Sequence, residues 1–273
     1  MKVVILCGGM GTRLKEETEY KPKPLVEIGG MPILWHIMKI YSHYGFKDFI
    51  LCLGYKGKMI KDFFLNYEII NSDFTLKLGS NNIKFHNSYK EKDWTITFAE
   101  TGKNAMTGAR IKRIEKYIDS DLFMLSYGDG VADINIRELL EFHKSHGKIG
   151  TITGVNPSSR FGELAIMGSQ VKKFSEKPQI KDSFINGGFF VFDKRIFNYP
   201  EDNDDCIFEQ EPLKKLTLDK ELIVYKHRGF WQCMDTYRDL QLLNNLWAGQ
   251  EAEKGLHFSE VKSIKPPWKI WED

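Results

Sequence analysis

The stretch Met1-Lys-Val-Val-Ile-Leu-Cys-Gly-Gly-Met-Gly-Thr-Arg-Leu14 decides the fold, because an apolar run breaks there into a glycine-rich loop. The residues from Val3 to Leu6 are all apolar and mostly β-branched, which is typical of a strand buried on both faces of a parallel sheet. Gly8, Gly9 and Gly11 let the backbone turn sharply and leave its N–H groups bare. We therefore predict a first strand that ends in an anion-binding loop.

The residues after the glycines favour a polyphosphate as the ligand of this loop. Thr12 adds a hydroxyl donor and Arg13 a planar guanidinium, and both groups suit phosphate oxygens. The dinucleotide motif G-x-G-x-x-G/A does not fit, because Leu14 takes the place of its last small residue. No Gly-Lys pair in the chain has the earlier glycine and the following Ser or Thr of a P-loop. On local sequence alone, a plain strand-to-helix turn remains an alternative.

The composition is that of an ordinary soluble globular protein. The chain has 273 residues, 42% of them hydrophobic and 28% charged, which is enough for a large core. Its formal net charge of +2 gives no overall basic field for nucleic acid or a membrane surface. We see neither an apolar run of membrane-spanning length nor a secretory leader, so we expect a cytoplasmic protein. The four cysteines, Cys7, Cys52, Cys206 and Cys233, form no C-x-x-C pair and are expected to be reduced.

Strand and helix patterns alternate along most of the chain. They predict an α/β fold, with a Rossmann-like, mostly parallel sheet flanked by helices. Residues from about Phe74 to Phe98 form short alternating stretches instead, which predict a small antiparallel, strand-rich insertion. We expect a single domain over residues 1–249, with this excursion at about 74–98. Residues 250–273 look like a separate C-terminal arm that could pack on a neighbour or fray.

Two aspartates in distant segments could hold a divalent cation. Asp129 directly follows a strand-like run, and open α/β sheets assemble ligand sites at the carboxyl ends of their strands. Asp235 stands before a predicted helix among aromatic residues. Mg²⁺ usually takes one or two protein carboxylates together with phosphates and waters, so two aspartates would suffice. Asp129 could equally form a turn and Asp235 an N-cap, and spacing does not show that they meet.

A lysine near the loop could face the same phosphates. Lys23 lies in the proline-stiffened segment Tyr20-Lys-Pro-Lys-Pro24, where its ammonium could be held at little ordering cost. Lys21 is the rival within that segment. Both lysines could also be ordinary solvated surface residues.

Six motifs in order resemble the sugar-1-phosphate nucleotidylyltransferases. They are Gly8-Gly-Met-Gly-Thr-Arg-Leu14, Lys23-Pro24, Tyr127-Gly-Asp-Gly130, Glu176-Lys-Pro178, Asn186-Gly-Gly-Phe189 and Trp231-Gln-Cys-Met-Asp-Thr236. Further stretches, such as Pro32-Ile-Leu-Trp-His-Ile-Met38 and Pro267-Trp-Lys269, are similar to the branch that uses CTP and glucose 1-phosphate, nearly end to end.

The resemblance implies an activity. CTP and α-D-glucose 1-phosphate would give CDP-glucose and pyrophosphate with Mg²⁺ as cofactor, for dideoxysugar synthesis in O-antigen and other surface polysaccharide. It also implies a homo-oligomer, such as a hexamer, with no nucleic-acid or membrane partner. The attacking sugar phosphate is already an anion, so catalysis would consist of positioning and charge neutralisation without a strong general base.

The resemblance further implies roles for individual residues. Arg13, Lys23 and Asp129 would carry catalysis, and Asp129 and Asp235 would hold Mg²⁺. The sugar phosphate would be bound by Glu176, Lys177 and Asn186. The nucleotide would be bound by Leu6, Cys7, Gly8, Gly9, Met10, Gly11, Thr12, Arg13, Lys23, Thr107, Arg110 and Gly128.

Two positions depart from the family pattern. Cys7 stands where alanine is common, and Glu163 replaces a small residue expected near the sugar. The Glu163 carboxylate could bind an extra hydroxyl or amine of another hexose phosphate, or point to solvent. Four alternatives stay open: UTP or dTTP as the nucleotide, another hexose 1-phosphate, a nucleotide-sugar binding protein without catalysis, and an NAD-dependent reductase, which Leu14 disfavours.

Overall fold

The computed structural model describes residues 1–80, 82–87, 89–157, 163–167, 169–175, 183–250 and 265–272. Its strands are β1 (Lys2–Leu6), β2 (Glu27–Ile28), β3 (Met31–Pro32), β4 (Asp48–Leu53), β5 (Phe74–Lys77), β6 (Asn82–Phe85), β7 (Thr95–Glu100), β8 (Leu122–Tyr127), β9 (Gly130–Ala132), β10 (Gly150–Val155), β11 (Glu163–Met167), β12 (Gln170–Ser175), β13 (Ile185–Asp193), β14 (Leu222–His227) and β15 (Trp231–Cys233). Its α-helices are α1 (Lys15–Thr18), α2 (Ile33–His43), α3 (Gly57–Leu65), α4 (Tyr67–Asn71), α5 (Thr107–Arg113), α6 (Ile136–His146), α7 (Glu211–Leu218) and α8 (Tyr237–Trp247), and 3₁₀ turns occur at Lys23–Leu25, Glu115–Tyr117 and Lys194–Asn198. Within these ranges no helix has both the length and the apolar character needed to cross a membrane.

A seven-stranded sheet in the order β14-β10-β13-β8-β1-β4-β7 forms the centre of the molecule. β1 runs parallel to both neighbours, and the β4–β7 and β10–β14 pairs are also parallel. β13 is antiparallel to both β8 and β10. The predicted α/β fold with a mostly parallel, Rossmann-like sheet is thereby confirmed.

Side chains of β1 enter a hydrophobic core on each face of the sheet. Val3 and Ile5 lie in the core that α2 and α8 cover, whereas Val4 points into the core on the opposite face, and all three are fully buried. This explains the uninterrupted apolar run, since successive side chains of a strand face opposite sides and both sides are covered here.

The strand-rich insertion is smaller than expected. β5 and β6 form an antiparallel hairpin apart from the main sheet. β7, however, is the edge strand of the main sheet and runs parallel to β4, so the assignment of Thr95–Phe98 to the antiparallel excursion was wrong. An edge strand is only half covered, and its alternating sequence therefore looks like that of an antiparallel strand.

The end of the C-terminal segment packs on the core of the same chain. Trp268 is fully buried and stacks on Phe230 with ring centroids 5.5 Å apart. Trp271 contacts Trp35 edge-on at 5.7 Å. Residues 265–272 therefore belong to the core that α2 and α8 cover, rather than to an arm that stands apart.

Candidate active site

A short ladder brings Asp129 and Asp235 together at the carboxyl edge of the sheet. β9 begins one residue after Asp129 and pairs antiparallel with β15, with Gly130 opposite Cys233. The backbone N–H of Met234 donates to the carbonyl of Asp129 at 2.8 Å. The two candidate metal ligands are therefore neighbours although they lie in distant parts of the sequence.

Lys23 lies between the two aspartates. Its Nζ donates to Asp129 Oδ2 at 2.7 Å and to Asp235 Oδ1 at 2.6 Å. The side chains of Lys23 and Asp235 are each only 11% exposed. Lys21 forms a surface pair with Glu27 instead, at 3.0 Å. Lys23, and not Lys21, therefore lies with the two aspartates, and its contact with a phosphate stays a prediction.

The 3₁₀ turn at Lys23–Leu25 fixes the position of this lysine. The backbone N–H groups of Leu25 and Val26 donate to the carbonyls of Pro22 and Lys23 at 2.8 Å and 3.0 Å. Pro24 needs no backbone donor in such a turn, and its fixed φ suits it. Pro22 and Pro24 therefore restrict the backbone on both sides of Lys23, which fixes the direction in which its side chain leaves the turn.

Arg13 reaches the same cluster from the glycine-rich loop. Its Nη1 donates to Asp235 Oδ2 at 2.7 Å, and its side chain is 70% exposed. Asp235 is not the N-cap of α8: Thr236 is, and it forms a capping box with Asp239. The carboxylate of Asp235 is therefore free to bind cations. We call Arg13, Lys23, Asp129 and Asp235 the charged cluster.

The opposite charges in the cluster shift the pKa values of Asp235 and Lys23. Burial raises the pKa of Asp235, but the hydrogen bond and charge of Lys23, with the charge of Arg13, outweigh it and the pKa is lowered. Burial likewise lowers the pKa of Lys23, but the two aspartates outweigh it and the pKa is raised. Both shifts favour the charged forms of Asp235 and Lys23.

The donor set of the charged cluster fits a divalent cation. Both carboxylates already converge on one ammonium, and Mg²⁺ prefers carboxylate oxygens of this kind. In the part of the chain that the structure describes, no group of three or more His, Cys, Asp or Glu side chains converges as a metal site. A cation held by Asp129 and Asp235 would therefore need further oxygens from substrate and water.

The glycines of the loop are needed for different reasons. A Cβ on Gly8 would lie 2.2 Å from the guanidinium carbon of Arg110. Gly11 has a φ of +65°, and a Cβ there would meet Thr18 Cγ2 at 2.7 Å. Around Gly9 a Cβ would meet nothing within 4 Å, and Gly9 is exposed. Of the three, Gly9 offers its backbone to solvent without an internal packing reason, as a ligand-binding position requires.

The first residues of the loop belong to the sheet. Cys7 is 1% exposed, its N–H donates to the carbonyl of Cys52 at 3.0 Å, and burial raises the pKa of its thiol. Leu6 is half-buried, whereas Met10, Thr12 and Arg13 are exposed. All four cysteines are free thiols, as expected from the sequence.

Arg110 lies beneath the loop rather than on its open side. Its Nη1 is 2.9 Å from the carbonyl oxygens of Leu53 and Gly102, and its Nη2 donates to the carbonyl of Gly8 at 3.0 Å. The residue is 3% exposed. The Arg110 guanidinium is therefore hydrogen-bonded to backbone carbonyls at or just after the ends of β1, β4 and β7. Its direct contact with a nucleotide stays a prediction.

Gly128 and Asn186 lie at the same edge of the sheet. A Cβ on Gly128 would lie 2.5 Å from the carbonyl oxygen of Leu6, so only glycine allows β8 to approach β1 this closely. Asn186 comes near the start of β13, which is antiparallel to β8, so it lies beside the carboxyl end of β8. Its Nδ2 donates to the hydroxyl of Tyr127 at 2.9 Å.

Sequence reasoning missed Tyr127 and Glu209 as parts of this edge. Thr107 donates from Oγ1 to Glu209 Oε2 at 2.6 Å, and the Tyr127 hydroxyl donates to Glu209 Oε1. Glu209 follows an acidic loop that looks like a solvated turn, so no local signal marks it. Three expected contacts lie outside the described residues: Glu176, Lys177 and the side chain of Glu163.

Comparison with known proteins identifies the family. A family model of nucleotidyl transferases matches residues 2–240. The chain is 50% identical over 273 residues to the glucose-1-phosphate cytidylyltransferases of Salmonella typhi and Salmonella typhimurium, covering 100% of both proteins in each case. The inositol-1-phosphate CTP transferase of T. maritima has the same fold, with a TM-score of 0.60, 16% identity, and coverage of 92% of this chain and 98% of that one. The chain belongs to the nucleotidyl transferase family, within its group of glucose-1-phosphate cytidylyltransferases.

Proposed function

We propose that this enzyme transfers the cytidylyl group of CTP to α-D-glucose 1-phosphate, giving CDP-glucose and pyrophosphate. The observation that carries this proposal is the charged cluster beside an exposed glycine-rich loop at the carboxyl edge of the sheet. The choice of CTP and glucose 1-phosphate is supported by the relatives that are 50% identical over their full length.

The reaction asks for binding and charge neutralisation. An oxygen of the sugar phosphate forms a bond to the α-phosphorus of CTP, and the bond from that phosphorus to the oxygen of the leaving pyrophosphate breaks. No proton has to be removed from the nucleophile, because it is already an anion. Arg13 and Lys23 supply positive charge for the phosphates, and exposed loop amides around Gly9 supply hydrogen-bond donors.

We propose that Asp129 and Asp235 hold Mg²⁺ during this reaction. When bound, the cation neutralises charge on the triphosphate and orients it. Lys23 Nζ donates to Asp129 at 2.7 Å and to Asp235 at 2.6 Å. The phosphates of CTP offer Lys23 and Arg13 new anionic partners, so these side chains can release the carboxylates as the nucleotide binds.

The remaining site residues have the roles that the family resemblance implies. We propose that the nucleotide contacts the backbone from Leu6 to Arg13, together with Thr107, Arg110 and Gly128. We propose that Asn186, Glu176 and Lys177 bind the sugar and its phosphate. The position of Asn186 beside β8, near Asp129, supports its part of this assignment.

A panel of substrates tests the proposed reaction. The purified protein is incubated with Mg²⁺, each of CTP, UTP, dTTP, ATP and GTP, and each of several hexose 1-phosphates, and pyrophosphate release is measured. We expect the highest kcat/KM for CTP with glucose 1-phosphate. A higher kcat/KM for UTP, dTTP or another hexose phosphate would replace the substrates. CTP binding by calorimetry without pyrophosphate from any pair would indicate a non-catalytic binding protein.

We also propose that the protein is a homo-oligomer. Several large apolar side chains between α3 and β6 are exposed, among them Leu65 at 77% and Leu78 at 84%. Exposed apolar side chains concentrated in one stretch of the chain are candidates for a protein interface, and we assign this stretch to contact with a second copy of the chain. Light scattering measures the molar mass of the assembly in solution. The family resemblance implies six copies of the chain. Leu76→Glu with Leu78→Glu should dissociate it, and a monomeric wild-type protein would contradict the proposal.

The cellular context is a further part of the proposal. The reaction consumes a nucleoside triphosphate made in the cytoplasm, and we propose that the enzyme works there. We propose that CDP-glucose supplies dideoxysugars for O-antigen and other surface polysaccharide. A deletion strain should lack these sugars in its lipopolysaccharide, and their undiminished presence would contradict this role.

A further inference from the structure

A chain of hydrogen-bonded side chains runs along the site edge beside the charged cluster. Thr107 and Tyr127 both donate to the carboxylate of Glu209, one to each oxygen. Asn186 donates from Nδ2 to the hydroxyl oxygen of Tyr127 at 2.9 Å. We call Thr107, Glu209, Tyr127 and Asn186 the edge chain.

The edge chain connects opposite sides of the site. Thr107 begins α5, which follows the edge strand β7, and Tyr127 ends β8, two residues before Asp129. Asn186 lies near the start of β13, on the far side of β8 from β1. Under the proposed function, Thr107 is on the nucleotide side and Asn186 on the sugar side. Glu209 joins these two sides.

The hydrogen bonds of the edge chain run toward Glu209, and the backbone N–H of Phe208 supports Thr107 by donating to its Oγ1 at 2.9 Å. An ionised carboxylate only accepts, so the hydroxyls of Thr107 and Tyr127 must both donate to it. The oxygen of Tyr127 then accepts from Asn186, which turns the Nδ2 group of that amide toward Tyr127. The carbonyl oxygen of Asn186 is left facing Gly188, whose N–H donates to it at 2.9 Å. The Gly188 N–H already requires the amide oxygen to face it, and Glu209, by fixing the Tyr127 hydroxyl, adds a second hydrogen bond that holds Asn186 in the same orientation.

A purely structural role explains this arrangement poorly. Glu209 is exposed and lies in a loop, and hydrogen bonds at such a position add only about 1 kcal/mol to stability. What the arrangement secures is the orientation of Thr107 and Asn186.

We infer that Glu209 is a positioning residue that orients Thr107 for the nucleotide and, through Tyr127, Asn186 for the sugar phosphate. This inference rests on the proposed function, which assigns Thr107 and Asn186 to the two substrates. Glu209 itself makes no contact with the charged cluster in the structure, so its loss weakens substrate binding more than the chemical step.

The test compares Glu209→Gln with Glu211→Gln as a matched control. Glu211 is 90% exposed, two residues further on, and its neighbour Lys214 is 4.0 Å away, so the same substitution there should change nothing. For Glu209→Gln we expect the KM for the sugar phosphate to rise roughly tenfold, as for a lost hydrogen bond to a charged group. We expect kcat to stay within about threefold and the Tm within about 3 °C of wild type.

A double-mutant cycle adds a readout that a structural role would not produce. Tyr127→Phe should raise the same KM, and adding it to Glu209→Gln should have little further effect, because both changes break one chain. A KM for Glu209→Gln within twofold of the Glu211→Gln value would overturn the inference. Additive effects in the double mutant, or a Tm lower than wild type by more than about 5 °C, would also overturn it.

Calorimetric binding of CDP-glucose separates this inference from the proposed function. Wild-type turnover tests the function by itself, whereas the ratio of CDP-glucose affinities between Glu209→Gln and wild type tests the positioning role without turnover. We expect the variant to bind CDP-glucose roughly tenfold more weakly. An active wild-type enzyme whose affinity for CDP-glucose equals that of Glu209→Gln would contradict only the inference. A wild-type protein that neither converts its substrates nor binds CDP-glucose would contradict both the inference and the proposed function.

Discussion

Lys23→Met is the substitution whose cost follows most directly from the structure. The Lys23 ammonium lies 2.7 Å and 2.6 Å from two carboxylates, and the side chains of Lys23 and Asp235 are each 11% exposed. Methionine keeps an apolar stem of similar length but leaves both carboxylates without this cation. Removing one partner of a buried ion pair costs about 3–5 kcal/mol, and we expect the lower end because Arg13 still pairs with Asp235.

Urea unfolding without divalent cations measures this change. A loss of about 3 kcal/mol corresponds to a Tm lower by roughly 6 °C in a chain of this size. Lys21→Met is the matched control, because Lys21 and Glu27 form an exposed pair that contributes less than about 1 kcal/mol. Mg²⁺ at about 10 mM should restore about 1.4 kcal/mol to Lys23→Met if its dissociation constant is about 1 mM. The wild-type protein should gain less, since Lys23 already neutralises the site.

Two results would refute this reasoning. Equal stability losses for Lys23→Met and Lys21→Met would mean that the buried ion pairs do not exist in solution. Equal stabilisation of the wild-type and Lys23→Met proteins by Mg²⁺ would mean that Lys23 does not occupy the cation-binding position.

Three further predictions concern the loop, the pH dependence and the C-terminal segment. Gly8→Ala should lower stability, because the added Cβ would collide with Arg110, whereas Gly9→Ala should leave stability unchanged. Gly9→Ala should instead raise the KM for CTP. An unchanged KM would contradict the assignment of Gly9 to the nucleotide-binding loop. His36 is fully buried, and burial lowers its pKa to about 4. Between about pH 6.5 and 4 the imidazole is therefore protonated in the unfolded chain but neutral in the folded one. The free energy of unfolding falls as the pH falls through that window. Urea unfolding should lose about 2 kcal/mol from His36 alone between pH 7 and 5, and a His36→Leu variant with the same pH slope would contradict this. Trp268→Ala should cost about 3–5 kcal/mol by urea unfolding, and a loss below about 1 kcal/mol would show that residues 265–272 do not pack on the core.

Local elements with strong end signals could be predicted from the sequence. Proline at position 32 and glycine at position 45 are typical start and stop signals and predict a helix between them, and the structure has α2 at Ile33–His43. The apolar run after Met1 became β1, because a strand covered on both faces must be apolar at every position. β7 was misjudged, since a half-covered edge strand has the same alternation as an antiparallel one.

Contacts between distant segments could not be predicted from local sequence. The approach of Asp235 to Asp129 depends on the β9–β15 ladder, whose strands of three residues each carry almost no pattern. The choice between Lys21 and Lys23 depends on the direction of one 3₁₀ turn. The resemblance implies that Arg110 binds the nucleotide, which stays a prediction, whereas its burial beneath three strand ends follows only from the packing of α5.

The central claim is that the charged cluster performs nucleotidyl transfer. The measurement that tests it most directly is the rate of pyrophosphate release from CTP and glucose 1-phosphate by the wild-type protein and by Arg13→Ala. Arg13 is 70% exposed, so its loss should leave the circular dichroism spectrum and the unfolding transition nearly unchanged. We predict wild-type turnover to CDP-glucose and a kcat at least about 100-fold lower in the folded variant. A folded Arg13→Ala protein with wild-type kcat would contradict the account.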